Sequence, residues 1–521
     1  MLPLLLRHTL ARGCDHHTTR HVSSLSLSLS LSANLPDAMA SAHVVLLPEA
    51  GSGHLMSLIE AGKRLLGHDG SDECRALTVT VLIIRPATAE SAAEVDSHVS
   101  RVASSGSGIR FHHLPVVEPP TDCAGNLQEF KSRYMQMQAP HVKAALADLD
   151  AAALVIDFFA TGVIDAAREL AVPTYVYFTS TAALLALTLR LPALDETVEV
   201  FDGTVDVPGM PPVPAGSIPG FLGDKKSPNY TWFVYHGRRF MDADGIIINT
   251  VNELEPGLLA AIADGQCVPG RRAPPLFPIG PVIDLGLKES NEDCVRWLDA
   301  QPQASVVFLC FGSLGYFDVA KAHEVATGLE RSGHRFLWTL RGPPAAGSRH
   351  PTDADLDELL PEGFLERTKE RGLVWPRRAP QKEIIAHPAV GGFVTHCGWN
   401  STLESLWHGV PLVPWPLYAE QHLNAFELVS DVGVAVAMEV DRKRNNFVQA
   451  ADLERAVRCL MGVSEEGTKA REKATKMKAV CRKALEDGGS SYTALQRLRH
   501  AILTGTRCNG VASPGETRVQ N

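Results

Sequence analysis

The sequence predicts an α/β protein made of two doubly wound parallel sheets, each covered by helices on both faces, with a cleft between them. Three observations lead there. A chain of 521 residues with 45% hydrophobic content is longer than the roughly 250–300 residues at which one core stops growing. Short β-rich apolar runs alternate with longer helical patterns, as parallel strands joined by helical crossovers do. The alternation runs once, meets a proline-rich stretch, and starts again.

In chain order, the first unit opens with "HVVLL" (43–47), a helix over about 54–66, "LTVTVLII" (77–84) and "AALVIDFF" (152–159). The stretch "RRAPPLFPIGP" (271–281) reads as a linker. The second unit brings "SVVFLCFGSLG" (305–315), a helix over 319–332, "RFLWTL" (335–340), "GGFVTHCG" (391–398) and "GVPLVPWP" (409–416). Residues 464–503 read as two charged amphipathic helices split by "DGGSS" (487–491). The expected division is a leader at 1–38, a first domain at 39–270, a linker at 271–300, a second domain at 301–485, a C-terminal helix at 486–504 and a disordered tail at 505–521.

The leader carries Arg7, Arg12 and Arg20 with few acids, followed by "SSLSLSLSLS". Two readings are open. It is basic and serine-rich like an organelle transit peptide, or it is the product of an upstream start codon, since Met39-Ala-Ser41 stands directly before the first strand. Neither bears on the fold.

The formal charge of −10 leaves no global basic field to gather nucleic acid or an anionic membrane. The basic run at 469–483 is interspersed with other residues and reads as a solvated helix face. Ten scattered cysteines without a CxxC pair argue against a disulfide framework or a cysteine-rich zinc site and point to a reducing compartment. The most apolar stretch, around 182–191, is interrupted by Arg190 and Pro192, so no membrane span is expected.

Two glycine-bearing loops follow strands. "EAGSGHLMSLIEAG" (49–62) invites a dinucleotide-binding reading, but Met56 stands where the third glycine belongs and the next strand ends in Arg85-Pro86 rather than an acid. What the loop does offer is His54 in the first turn of a helix, where the positive end of the helix dipole favours a neutral imidazole able to accept a proton. A packing or capping histidine is the plainer alternative. Asp157 ends "ALVID" at the carboxyl end of a buried strand, where open α/β sheets place their ligands. Buried after apolar residues, it requires a partner. A dyad with His54, in which the carboxylate orients the imidazole, and a cap on the following helix are both open.

"FVTHCGWNSTLES" (393–405) places His396 at a strand end, Gly398 at an expected sharp turn and Ser401-Thr-Leu-Glu404 at capping-box spacing, so that Glu404 falls in the first turn of a helix. Free N–H groups there, with histidine, asparagine and serine alongside, make a seat for a phosphate or diphosphate. Gly312, Ser313 and Gly315 form a second small-residue loop that can close on the same anion. The acidic run "DADLDE" (353–358) reads as solvated surface.

These residues resemble the plant family-one UDP-sugar-dependent glycosyltransferases. The stretch from Arg378 to Gln421, with "APQKEIIAHPAVGGFVTHCGWNSTLESLWHGVPLVPWPLYAEQ", is similar to their donor-binding box almost residue by residue, and "GSGH", "VIDFF", "INTVNELEP" and "FLCFGSLG" extend the likeness from about residue 42 to 503. Within the family the grass enzymes that glycosylate flavonoids and related phenols look nearest. The resemblance implies a GT-B fold of two Rossmann-like domains, the first for the acceptor and the second for the UDP-sugar. It implies His54 as catalytic base and Asp157 as its activating partner. Ser313, His396, Asn400 and Ser401 match residues around the diphosphate, Glu404 the ribose ligand, and Trp399, Glu420 and Gln421 residues that hold the sugar. Gln421 is associated with glucose donors, with galactose open.

One position departs from the pattern. The box normally opens with a tryptophan that stacks on uracil, and Arg378 stands there instead. Base stacking contributes ~1–3 kcal/mol, and a guanidinium offers a smaller, more hydrated surface, so weaker donor affinity is expected. Gln381 can still present its backbone to the uracil edge. The expected activity is inverting transfer of a hexose, with glucose foremost, to a phenolic hydroxyl, with no cofactor or metal and UDP-sugar as co-substrate. The expected state is a monomer in the cytoplasm or at the cytosolic face of the endoplasmic reticulum. The acceptor is expected against "FFATG" (158–162), "YFTSTAALLALTL" (177–189) and "VPGMPPVPAGSIPGF" (207–221).

Overall fold

The structure, a computed structural model, describes residues 42–67, 77–123, 125–197, 201–287, 290 and 292–505. The leader at 1–38 and the tail after Gly505 lie outside the described residues.

The first sheet is built from β1 (Ala42–Leu47), β2 (Leu77–Ile83), β3 (Ile109–His113), β4 (Ala153–Asp157) and β5 (Thr174–Phe178). A small antiparallel ribbon, β6 (Thr204–Val205) with β7 (Val213–Pro214), interrupts it before β8 (Gly245–Ile248) and β9 (Leu276–Pro278) complete it. The spatial order is β3-β2-β1-β4-β5-β8-β9, every pair parallel. The second sheet uses β10 (Val306–Cys310), β11 (Arg335–Thr339), β14 (Gly372–Trp375), β15 (Val390–Thr395) and β16 (Leu412–Pro414) in the order β14-β11-β10-β15-β16, again all parallel. Between them in sequence lies the hairpin of β12 (Arg341–Pro344) and β13 (Pro351–Asp353). Every residue of β4, β5 and β10 is buried, because helices cover both sheet faces and such strands must be continuously apolar.

The segment expected as a linker, 271–300, does more than join. Leu276–Pro278 pairs in parallel register with Ile246–Ile248 and forms the edge of the first sheet. An edge tolerates proline because one side of the strand has no neighbour to receive an N–H. Residues Asp293–Asp299 then form a helix. The C-terminal helix Ser490–Thr504 returns to the first unit, where Ala494, Leu498 and Ile502 join the core around Val44, Val79 and Phe277. The first domain is therefore closed by the last helix of the chain.

Among the described residues no helix is long and apolar enough to cross a membrane. The apolar helix Ala182–Thr197 runs through Pro192 and buries Ala182–Leu189 in the first core.

Strand order reverses between β1 and β4 in one sheet and between β10 and β15 in the other. Crevices outside the carboxyl ends of strands at such reversals are where doubly wound sheets bind ligands. The chain leaving these four strands carries His54, Asp157, Ser313 and His396.

Candidate active site

A cavity of about 910 Å³ opens between the two units. On its first wall, Gly51 in an extended conformation ends the loop after β1 and the helix Ser52–Leu66 begins with no side-chain cap, so His54 sits in the first turn as expected. Its Nδ1 lies 2.7 Å from Asp157 Oδ2, with His54 23% exposed and Asp157 fully buried. Since a carboxylate accepts, Nδ1 carries the proton and donates, leaving Nε2 as the basic nitrogen. The other carboxylate oxygen, Oδ1, accepts the backbone N–H of Phe159 at 2.9 Å and caps the turn Phe158–Val163. Asp157 therefore both contacts His54 and caps the turn that follows. Phe158 and Phe159 pack on the imidazole with ring centroids at 5.6 and 5.8 Å.

The electrostatic expectation for His54 is reversed. Burial pulls the imidazole below its usual 6.5 and Lys131 pulls the same way, but the Asp157 charge and hydrogen bond, with Glu49 further off, outweigh them and leave it raised. The helix N-terminus, expected to keep the ring neutral, loses to two carboxylates. Sequence reasoning did not single out Glu49 or Lys131. Lys131 Nζ pairs with Glu49 Oε2 at 3.2 Å and lies over the Phe159 ring, and Glu49 also accepts the N–H of Gly51 at 3.0 Å. Burial works against the Glu49 carboxylate, yet Lys131 and His54 hold it below its ordinary range. Glu49 lies inside the quoted loop, but Lys131 arrives on the helix Leu127–Met137 and carries no local signal.

On the opposite wall, β10 ends in Cys310 and Gly312 turns with φ +74°. β15 ends at Thr395, and the turn after it falls on Cys397, at φ +64°, rather than on Gly398, whose φ of −61° is ordinary. Gly398 is needed for closeness instead. A Cβ at Gly398 or Gly312 would stand 2.5 or 2.6 Å from His396 Nε2, so the imidazole is clamped between two glycines. Burial pushes His396 down to about 4, so it is neutral at pH 7, and its Nδ1 has no partner within hydrogen-bond geometry.

The helix expected to start at a Ser401–Glu404 capping box starts three residues earlier, as Trp399–His408 with Gly398 as an uncapped N-cap. Glu404 thereby moves into the second turn. The N–H groups of the first turn have no helical acceptor, and the capping box is absent. Gln381 ties the displaced pair together: its Nε2 donates to Ser401 Oγ at 2.9 Å and to Glu404 Oε2 at 2.7 Å. Burial pushes Glu404 up to about 7.

Of the expected residues, His54, Ser313, His396, Trp399, Asn400, Glu420 and Gln421 line the cavity, and Asp157 stands directly behind His54. Gln381, Ser401 and Glu404 form a cluster outside that lining. Arg378 is exposed and its carbonyl accepts Trp375 Nε1 at 3.4 Å. Trp375 itself is in the second core. Three residues expected at the sugar reach across the cleft or along it. Trp399 Nε1 donates to Asn249 O at 2.6 Å, Ser180 Oγ donates to Glu420 Oε1 at 3.1 Å, and Gln421 Oε1 accepts the N–H groups of Leu417 and Tyr418. The acidic run resolves simply: Asp355 caps the short helix Leu356–Leu359.

Two facing doubly wound domains, with the His54–Asp157 pair on one wall and the uncapped start of the helix Trp399–His408 on the other, have the architecture of a GT-B glycosyltransferase. The family model described as UDP-glucoronosyl and UDP-glucosyl transferase matches residues 284–466. The chain is 57% identical over 479 residues to a malvidin galactosylase of Oryza sativa subsp. japonica, covering 89% of this chain and 98% of that protein. It is 39% identical over 466 residues to an anthocyanidin 5,3-O-glucosyltransferase of a Rosa hybrid cultivar, covering 87% and 98%. Among solved structures, a Phytolacca americana glycosyltransferase complexed with UDP-2fluoro-glucose and pterostilbene superimposes with a TM-score of 0.77 at 34% identity, over 89% of this chain and 100% of that one. The chain belongs to the plant UDP-glycosyltransferase family and is a glycosyltransferase.

Proposed function

We propose that this enzyme transfers a hexose from a UDP-sugar to a hydroxyl of a small phenolic acceptor, of the flavonoid or anthocyanidin kind, with inversion at the anomeric carbon. The observation that carries the reading is the His54–Asp157 contact at 2.7 Å, opening onto a cavity that runs to the uncapped helix Trp399–His408.

His54 Nε2 takes the acceptor proton as the acceptor oxygen forms a bond to the anomeric carbon, and Asp157 balances the imidazolium. The bond from that carbon to the diphosphate breaks, and its electron pair leaves on the UDP oxygen. The first-turn N–H groups around Trp399, Asn400 and Ser401, with Ser313 and neutral His396, stabilise that charge. Glu404 accepts from the ribose diol, Gln381 presents its backbone to the uracil edge, and Arg378 stacks on the base. Trp399, Glu420 and Gln421 hold the hexose. Gln421 has its Oε1 committed to backbone, so its amide N–H is what it offers a sugar hydroxyl. Phe158, Phe159, Leu184, Phe221 and Phe233 give the acceptor an aromatic, apolar wall. Free cysteines among the described residues accord with a cytosolic enzyme.

For the donor, Gln421 favours glucose, and the malvidin galactosylase favours galactose. UDP release and glycoside mass, followed with UDP-glucose and UDP-galactose in parallel against flavonols, flavones and anthocyanidins, separate them. Product that disappears in His54→Ala supports the reaction. UDP binding without turnover on any acceptor would replace it with a non-catalytic binding protein.

A further inference from the structure

Glu255 and Glu427 are both fully buried, one from each domain. Glu255 precedes the helix Pro256–Ala263 of the first. Glu427 lies on Gln421–Ser430 of the second, whose Leu423 and Phe426 pack into the first domain's core. The two carboxyl groups touch. Glu255 Oε1 accepts the backbone N–H groups of Ala182 and Ala183 at 2.5 and 3.2 Å, at the start of the helix Ala182–Thr197. Its Oε2 and both oxygens of Glu427 have no donor within hydrogen-bond geometry.

Among the described residues, the groups that act most strongly on the two carboxyls include no cation. The hydroxyls of Thr250 and Thr181 lie beside Glu255 and Glu427. The further charge acting on Glu427 is Asp431, one turn on, which is itself near Lys473. The helix Pro256–Ala263, the first turn of Ala182–Thr197 and the turn Ala215–Ser217 carry no charged side chain. Two carboxylates in contact inside a protein cannot both ionise.

We propose that Glu255 and Glu427 form a proton-dependent clasp between the domains, in which Glu427 keeps its proton and donates it to Glu255 Oε2. Burial raises both carboxyl groups, and the division of labour follows from the donors: two backbone N–H groups and the Thr250 hydroxyl favour Glu255 as the carboxylate, whereas Glu427 has no backbone donor and only the Thr181 hydroxyl beside it. Burial and the neighbouring Glu255 charge raise Glu427 well above its ordinary range. Both residues act by position. Glu427 fixes the helix that begins at Gln421, directly after Glu420, and Glu255 fixes the helix that begins two residues after Ser180, the partner of Glu420. The consequence for catalysis rests on the reading of Glu420 and Gln421 as sugar contacts.

The test compares wild type with Glu427→Gln, whose amide N–H can replace the proton, and with Glu255→Gln, which places the same donor on the other side. For each, kcat/KM for the UDP-sugar and the thermal unfolding midpoint are measured against pH. A folded-state pKa raised above the unfolded 4.5 means stability present at low pH and lost as pH rises from that value through the raised one. Wild type should lose stability over that window relative to Glu427→Gln. Besides the ascending His54 limb, its kcat/KM should carry a loss of up to about tenfold per pH unit as the clasp proton leaves, while Glu427→Gln keeps the ascending limb and lacks that loss. Identical pH profiles of unfolding in wild type and both variants overturn the clasp. A missing His54 limb with the unfolding difference intact would count against the catalytic reading instead.

Discussion

Asp157→Asn changes one atom and removes one acceptor. In the dyad Oδ2 answers His54 Nδ1–H at 2.7 Å and Oδ1 answers Phe159 N–H at 2.9 Å, with the side chain fully buried. Asparagine has one carbonyl oxygen and one NH2, so it can answer one donor. If the oxygen stays on Phe159, the NH2 faces Nδ1, the ring proton moves to Nε2, and the base facing the cavity is lost. If the oxygen turns to His54, the NH2 meets the Phe159 N–H and a buried donor goes unanswered, at about 1–3 kcal/mol. In both cases the imidazolium loses its counter-charge, a change that lowers kcat by about 10⁴ in a serine-protease triad. The expected outcome is a kcat lower by about 10²–10⁴. Unfolding free energy should fall by about 1–3 kcal/mol, and the midpoint of any residual ascending pH limb should drop, since Asp157 is what raises His54. UDP release across pH, with unfolding of the same samples, measures all three. A variant that retains more than about a tenth of wild-type kcat, outside the range expected of a lost general base, refutes the dyad.

Gly398→Ala puts a methyl 2.5 Å from a clamped His396 ring, and overpacking of about 1–3 kcal/mol should weaken UDP binding in calorimetry; unchanged affinity would show that the ring is free to move. Arg378→Trp should lower the KM for the donor by up to about one or two decades with kcat little changed, and an unchanged KM would mean that the base is held without stacking. In wild type, the ascending limb of kcat/KM against pH should have its midpoint above 6.5, because deprotonated His54 is the active form and its pKa is raised; a midpoint below that value would contradict the charge balance. Trp399→Phe leaves the buried Asn249 carbonyl without its donor and should cost about 1–3 kcal/mol of stability, read by denaturant unfolding.

The strands were legible because parallel strands covered on both faces have to be apolar runs, and the ends of β4, β10 and β15 fall within a few residues of where the runs stop. The strand Leu276–Pro278 was hidden because Pro278 and the prolines around it read as a linker, and its edge position makes Pro278 harmless. The His54–Asp157 contact was legible as one of two open readings because both residues sit where strand ends meet at the reversal of strand order. The local geometry of "FVTHCGWNSTLES" was not. A left-handed Cys397 leaves no mark in the sequence, and a Ser-x-x-Glu spacing imitates a cap within a helix that has already begun at Trp399. Lys131 was beyond reach because nothing in an amphipathic helix says that one lysine faces a histidine far away in the chain.

The contacts least visible in sequence are those that join the domains, and they share one property. Trp399 reaches Asn249 over 150 residues of chain and Ser180 reaches Glu420 over 240, while Glu255 and Glu427 meet behind them. Trp399 and Glu420 are the same side chains expected at the hexose. A residue that holds both a sugar and the opposite domain feels any change in domain spacing as a change in its own geometry. On the proposed reading of Trp399 and Glu420 as sugar contacts, sugar recognition and domain placement share interactions, whereas Ser313, His396, Asn400 and Ser401, proposed for the diphosphate, all belong to the second domain. Weakening a tie between the domains should then impair transfer from the UDP-sugar while leaving the affinity for UDP itself in place. That split, measured by kinetics and calorimetry on Ser180→Ala, which removes the donor to Glu420 without touching the second domain, separates a contact that closes the site from one that merely adds stability.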